Sequence, residues 1–346
     1  MWSMTFRDLR YRRRRFVIAI AGTALVFAMA LVMAGMSASF RLEADRLLGA
    51  LGADAWIVPD GVVGPFTSVS AFPGDVADEA RSGSSSAEPL VVLRQTVTRD
   101  GSPKDVNVLG VRWAGLPKPL LVEGRGATGG EAVADTSLGA DIGESIPIGG
   151  REFTVVGLVD GLTFLGGIPV VFVTVPDAQG IGFGGQRLVS SVMVRGSLAH
   201  APAEHAILTN AAARADLLRP LEKGVQAIDS VQILLWIVAA IIVAAVIYLS
   251  ALERLRDFAV LKAVGASTTR LFGSLALQAV IISLVSAAIA FGISLGLAPT
   301  FALPIEIPVK AFALLPAVAL FVGIAASLSG LKRAIDVDPA RAFGGA

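Results

Sequence analysis

The sequence predicts an α-helical membrane protein with four transmembrane helices, both termini inside, and a mixed α+β extracytoplasmic domain between the first and second spans. Three observations carry this. The 346 residues are 54% hydrophobic and 16% charged, with a mean hydropathy of +0.71, too apolar for a water-soluble chain of this length. Four uncharged apolar runs are long enough to cross a bilayer, while residues 37–230 contain none. Lysine and arginine gather on the segments that four crossings would leave on one side, and that side is the cytoplasm.

Residues 1–15 form a basic arm, with Arg7, Arg10 and Arg12 to Arg15 against the single acid Asp8. They run directly into the first span, 16–36, whose 21 residues rise about 31 Å as a helix. A cleaved signal peptide is the competing reading. The apolar stretch exceeds such a leader's core, and no small-x-small site precedes a polar start, so a retained span is expected.

Residues 37–230 are expected to be water-exposed, opening with a helical continuation over 37–53. Short β-rich runs follow at Ala55 to Val58, Leu90 to Val97, Val106 to Val111, Phe153 to Val159, Val170 to Val175 and Val189 to Val194, separated by Gly, Pro and Asp turns. Ser82 to Ser86 reads as a surface loop. Glu204 to Ser230 reads as helix, with Leu218, Leu221, Val225 and Ile228 forming an apolar stalk stripe that leads into the second span, 231–252.

Between that span and the third, 271–298, lies ERLRDFAVLKAVGAS. Glu253, Arg254, Arg256 and Asp257 crowd its first turns, and Phe258, Val260, Leu261 and Val264 follow, a pattern for a short amphipathic helix at the membrane surface. Opposite charges three apart add about 0.2–0.5 kcal/mol per pair. Gly265 can close this helix and Ser267 can cap the next, making Gly265-Ala266-Ser267 a hinge. A polar loop that merely joins two spans is the other reading of the same residues. A short outer loop, 299–310, precedes the fourth span, 311–331, which contains Pro316. The tail, 332–346, carries Lys332, Arg333 and Arg341.

Several chemistries find no support. The chain has no cysteine, which excludes disulfides and thiolate sites. None of Lys104, Lys118, Lys223, Lys262, Lys310 and Lys332 follows a glycine, which removes a Walker A loop. Gly180-x-Gly182-x-x-Gly185 matches a dinucleotide string, but no helix is expected to open after it, so it reads as a glycine-rich loop. Gly292-x-Ser294-x-Gly296 matches a nucleophile elbow only as a string; inside an apolar helix, Gly292 and Gly296 suit close helix packing. His200 and His205 are not expected to share a helical face, so no metal site is expected. Glu306 and Lys310 read as a solvated pair at the outer loop. The net charge of +1 gives no reason to expect nucleic acid.

The order of one span, a large domain and three spans resembles the permease subunits of the MacB/FtsX-like ABC transporter family. ERLRDFAVLKAVGAS is similar to that family's segment between its second and third spans, with Asp257 where a glutamate is expected. FRDLRYRRRRFVIAIAGTALVFAMALVMAGM is similar to its arm and first span, and RAIDVDPARAF to its terminal helix. AVADTSLGADIGESIPIGGREFTVVGLVD and VVFVTVPDAQ are similar to parts of its outer domain, while residues 60–120 rest on topology alone.

The resemblance implies a multi-pass protein of the bacterial plasma membrane, paired with a second permease copy or paralogue and bound to a two-subunit ABC ATPase. ATP and magnesium would sit in that ATPase, with no cofactor in this chain. Residues 253–266 would be the coupling helix. Phe258, Leu261 and Val264 would supply its apolar contact, Arg254, Asp257 and Lys262 its charge complementarity, and Gly265 to Ser267 its corner. The implied activity is mechanotransmission for export or extraction of a lipid, lipoprotein, peptide or drug, with an extracytoplasmic accessory protein as a further partner. The alternative is an FtsX-type transducer that activates a cell-wall hydrolase. An adhesion or receptor protein leaves the basic hinged segment without a purpose. Nothing in the spans supports an intramembrane enzyme.

Overall fold

The computed structural model describes residues 13–68, 70–83, 86–99, 101–115, 121–196, 198, 200–253, 260, 268–297 and 309–335. The chain divides into two compact units, Phe40–Lys223 and a helical unit formed by Met1–Ser39 with Gly224–Ala346.

The unit Phe40–Lys223 is built on a mixed sheet. Its strands are β1 (Ala55–Pro59), β3 (Ser86–Arg99), β4 (Ser102–Val111), β5 (Leu121–Gly124), β6 (Glu131–Asp135), β8 (Arg151–Val159), β10 (Ile168–Thr174), β12 (Ser191–Arg195) and β13 (His205–Thr209). They lie in the order β13-β1-β12-β3-β4-β10-β6-β8-β5. β7 (Ser145–Ile148) pairs with β8, and β9 (Thr163–Phe164) pairs with β10. β2 (Phe72–Pro73) and β11 (Leu188–Val189) form a separate pair. Two contacts are parallel, β4 with β10 and β6 with β8; the other pairs are antiparallel.

Alternation along the central strands sorts side chains into two cores. On β10, Val171 and Val173 join one cluster while Val170 and Phe172 join the other. A strand covered on both faces needs a continuous apolar run, and Val170 to Val173 supplies it. Helices α2 (Val76–Gly83) and α3 (Val175–Gly182) place Val76, Ala77, Ala80 and Ala178 in the first cluster. The end of α1 (Arg13–Leu51) and α4 (Asn210–Leu218) place Leu47, Leu51, Ala213 and Leu217 in the second.

Three sequence expectations need correction here. Glu204 to Ser230 is not helical throughout: residues 205–209 form β13, in register with β1 from Ala55↔Thr209 to Pro59↔His205. The helical spacing of Leu218, Leu221, Val225 and Ile228 begins beyond this strand, and pairing with a long-range partner decides residues 205–209. Pro220, which has no N–H to donate, then sits in a 3₁₀ turn, Arg219–Leu221, between α4 and α5 (Glu222–Glu253). Ser82 and Gly83 are the last residues of α2 and Ser86 begins β3, so the SGSSS stretch is not wholly a loop. Gly180 and Gly182 close α3 rather than lining a loop, and Gly184 and Gly185 after it take the left-handed conformation, at φ 61° and 81°.

In the helical unit, α1 and α5 are joined by α6 (Thr268–Leu297) and α7 (Val309–Ile335). By length and composition, the helical stretches Phe16–Leu51, Asn210–Glu253 and Leu275–Leu297 are long and apolar enough to cross a membrane; Val309–Val322 of α7 is a shorter apolar stretch. The core of this unit draws Phe27 and Leu31 from α1, Val243 and Ile247 from α5, Ile282 from α6 and Leu315 from α7. Alanines at Ala239, Ala279, Ala290 and Ala319 are buried among them, which lets helix backbones approach closely. Phe27 and Trp236 pack with ring centroids 5.5 Å apart, and the Ser286 hydroxyl donates to the Ile20 carbonyl at 3.2 Å.

Candidate functional site

In the unit Phe40–Lys223, charged and polar side chains concentrate where the last turns of α1 and the start of α4 meet the sheet. Glu43 is 7% exposed, in the part of α1 beyond the predicted span. Burial pushes its carboxyl above the usual carboxylate range, offset in part by the nearby Thr163 hydroxyl, the Gly167 and Gly166 amides and the charge of Arg46, while its Oε2 is buried with no hydrogen-bond partner among the described residues. Those amides converge because Leu165, Gly166 and Gly167 all take positive φ, at 60°, 85° and 87°, in the turn between β9 and β10. Leu165 carries that conformation with a side chain, at a cost in backbone strain. A Cβ on Gly166 would lie 3.6 Å from Phe40 and 4.0 Å from Leu221, so this turn sits against both ends of the chain's passage through the unit.

Further fastenings hold the same helix. Asp45 accepts two hydrogen bonds from Arg214 of α4, at 2.5 and 3.1 Å, and the carboxylate raises the Arg214 pKa. The pair is partly exposed and contributes about 0.2–1 kcal/mol. Arg195 of β12 donates to the carbonyls of Leu51 and Gly52 at 3.0 and 2.9 Å, which satisfies α1's terminal acceptors and places a cation at the negative end of its dipole. Trp56 Nε1 donates to Asn210 Oδ1, and Asn210 Nδ2 donates to the Ala53 carbonyl, both at 2.7 Å.

Asp216 of α4 is fully buried and anchors the loop after β1. Its Oδ2 accepts from the Phe66 and Thr67 amides at 2.8 and 3.0 Å, and its Oδ1 accepts from the Thr67 hydroxyl. Arg219 stands 3.6 Å away. Gly64 passes so close that a Cβ there would fall 2.1 Å from the Asp216 carboxyl carbon. Asp135 of β6 plays a parallel part, accepting from the Ser137 amide and hydroxyl and from the Leu162 amide, which secures the segment leading into β9. These side chains fasten the end of α1, α4 and the loop after β1 together as a joint against the sheet.

The residues predicted from sequence are placed unevenly. Glu253 is the last residue of α5, and Val260 is helical and exposed. Arg254, Asp257, Phe258, Leu261, Lys262, Val264, Gly265, Ala266 and Ser267 lie outside the described residues. Leu218 ends α4 and packs on the second core, Leu221 lies in the 3₁₀ turn, and Val225 and Ile228 are half-buried on α5. Gly292 and Gly296 are exposed, and a Cβ on either would meet nothing within 4 Å. Their helical phase is opposite to that of Ala287, Ala290 and Ser294, which are the small residues α6 buries here. Glu43, Asp45, Arg214 and Asp216 escaped sequence reasoning, since only the acid-base alternation around the stalks marks them and their partners are far along the chain.

Comparison with known proteins agrees in both parts of the chain. Residues 17–212 match the MacB-like periplasmic core domain, and residues 230–339 match the FtsX-like permease C-terminal family. Similar relatives include two proteins of Mycobacterium tuberculosis (strain ATCC 25618 / H37Rv), each described as an uncharacterized ABC transporter permease. One is 42% identical and the other 40% identical, and each alignment covers 100% of both chains. Among solved structures, the periplasmic region of MacB from Actinobacillus actinomycetemcomitans aligns at 14% identity and a TM-score of 0.34, covering 47% of this chain and 92% of that one. The extracellular domain of the transporter YknZ from Gram-positive bacteria aligns at 16% identity and a TM-score of 0.31, covering 37% and 75%.

Proposed function

The chain belongs to the MacB/FtsX-like ABC transporter permeases, and from that premise we propose that it couples ATP hydrolysis by a separate ATPase to movement of its sheet domain. The observation that carries this reading is the joint. Asp45 is tied to α4 through Arg214, and Leu51 and Gly52 are both tied to β12 through Arg195, so the end of α1 has the fastenings of a lever rather than of a tether.

In the proposed topology, four spans at 16–36, 231–252, 271–298 and 311–331 leave both termini and residues 253–266 in the cytoplasm, and residues 37–230 on the other side. The coupling helix docks on an ABC ATPase dimer through Phe258, Leu261 and Val264, with Arg254, Asp257 and Lys262 giving charge complementarity. Gly292 and Gly296 offer small, uncovered positions to a second permease copy or paralogue in the plasma membrane. ATP-driven closure of the ATPases brings the coupling helices together, the spans tilt, and α1 and the α4–α5 passage carry that tilt into the sheet. The permease itself is non-catalytic, and the work done is export or extraction of a lipid, lipoprotein, peptide or drug.

Co-purification with the ATPase tests the docking step. Substituting Asp257→Ala and Leu261→Ala together should abolish recovery of the ATPase while the permease still inserts into the membrane. Unchanged recovery would remove residues 253–266 from the interface.

A further inference from the structure

A cavity of about 1280 Å³ opens within the unit Phe40–Lys223, larger than the roughly 300–1,000 Å³ of ordinary small-molecule pockets. Its floor is the carboxyl ends of the parallel neighbours β4 and β10, represented by Val111 and Thr174, and the first turn of α3. The opposite wall is the β2–β11 pair with α2. Val111, Trp113, Leu121, Ala127, Val175 and Val189 make an apolar interior. Trp113 is held from two sides. It meets Phe172 edge to face at 5.8 Å, and the backbone of Gly126 presses on the indole so closely that a Cβ there would fall 1.9 Å from the ring. The rest of the half-buried indole faces the cavity.

Of the three arginines in the wall, two are paired with carboxylates. Arg81 is engaged by Asp78 and by the Ala87 carbonyl, and Arg112 stands 3.3 Å from Glu88. Asp75 precedes α2, where the amide ends of the helix complement a negative charge. The Arg187 guanidinium has no carboxylate partner among the described residues, although its backbone carbonyl accepts from Gly74. Guanidinium forks suit carboxylate and phosphate oxygens.

We propose that this cavity binds a single-chain anionic amphiphile, with its apolar chain along Trp113 and its acidic head on the arginines of the wall, Arg187 foremost. A neutral apolar ligand leaves Arg187 unmatched. An extended peptide gains no strand edge from the floor, since β4 and β10 are each paired on both sides. The binding requires no ATPase, so it and the permease reading can fail separately.

The test uses the full chain in nanodiscs with a photoactivatable palmitate analogue, followed by peptide mapping. Labelling is expected on peptides containing residues 111–115 and 121–128, competed by palmitate and not by hexadecanol. Competition by lysophosphatidic acid as well would extend the site to phosphate heads, and its absence would restrict it to carboxylates; both results support the acidic-head assignment. Arg187→Glu should lower labelling about tenfold, the loss of one charge-assisted contact. Ala114→Trp, at an exposed lining position, should remove it by filling the space without disturbing the core. Labelling confined to the apolar helices, equal competition by hexadecanol, or unchanged labelling of the Arg187→Glu variant would each overturn the proposal.

Discussion

Replacing Asp216 with alanine should be the most damaging single polar substitution in the joint. The carboxylate is fully buried and serves the buried Phe66 amide, the part-buried Thr67 amide and the Thr67 hydroxyl. A stranded buried donor costs about 1–3 kcal/mol; with one donor wholly cut off from water and two partly rescued, the loss is about 3 kcal/mol. For a unit of this size that corresponds to a fall in Tm of about 6–12 °C. Trp56 reports it directly, since it is fully buried with its ring 5.0 Å from Phe66, so thermal unfolding followed by tryptophan emission is the assay. Asp216→Asn keeps one acceptor oxygen and should fall between wild type and Asp216→Ala. Asp45→Ala, which breaks a partly exposed ion pair, should cost at most about 1 kcal/mol. If Asp216→Ala unfolded within a degree of wild type, or Asp45→Ala cost as much, the buried carboxylate would not be the anchor of this joint.

Two further predictions concern pH. Arg125 first, then Thr128, hold the half-buried Glu131 carboxylate down at about 2, so the stability it adds is fully present above the ordinary carboxylate range and is lost as pH falls through about 2. The Tm difference between wild type and Glu131→Gln should be constant from pH 7 to 5 and close between about 4.5 and 2; a difference that persists at the acid end would contradict the ion-pair origin. Burial raises Glu43 instead, which reverses the sign: its contribution is present at low pH and lost as pH rises through the raised value. Glu43→Gln should therefore gain on wild type as pH rises above the ordinary carboxylate range, measured as the Tm difference, and a difference that shrinks with rising pH would refute it.

The parts of the fold written in local pattern were legible. The valine-rich run Val170 to Val175 announced the strand β10, which ends one residue earlier at Thr174, and α1, α5 and α6 announced themselves by apolar length. What escaped depends on distant partners. β13 lies just before the helically spaced residues 218–228 and reads as helix with them, and its pairing with β1, about 150 residues earlier, makes it a strand. β6, Glu131–Asp135, is short and acid-flanked, yet Ala132, Val133 and Ala134 are fully buried because β10 and β8 enclose it. Asp216 reads as a surface acid on a helix until Phe66 and Thr67 arrive from across the unit. The coupling-helix expectation at 253–266 rests on resemblance, while local spacing gave no hint of the hydrogen bonds that join α1 and α4 to the sheet.

Hydrogen–deuterium exchange of the permease with its ATPase, with and without a non-hydrolysable ATP analogue, tests mechanotransmission most directly. Nucleotide binding should change exchange in residues 43–52, 161–168 and 210–221, far from the nucleotide, and the combined Asp257→Ala and Leu261→Ala variant should erase the change. If nucleotide binding left those three segments as they were in the wild-type complex, the joint would not be the path by which ATP moves the sheet domain.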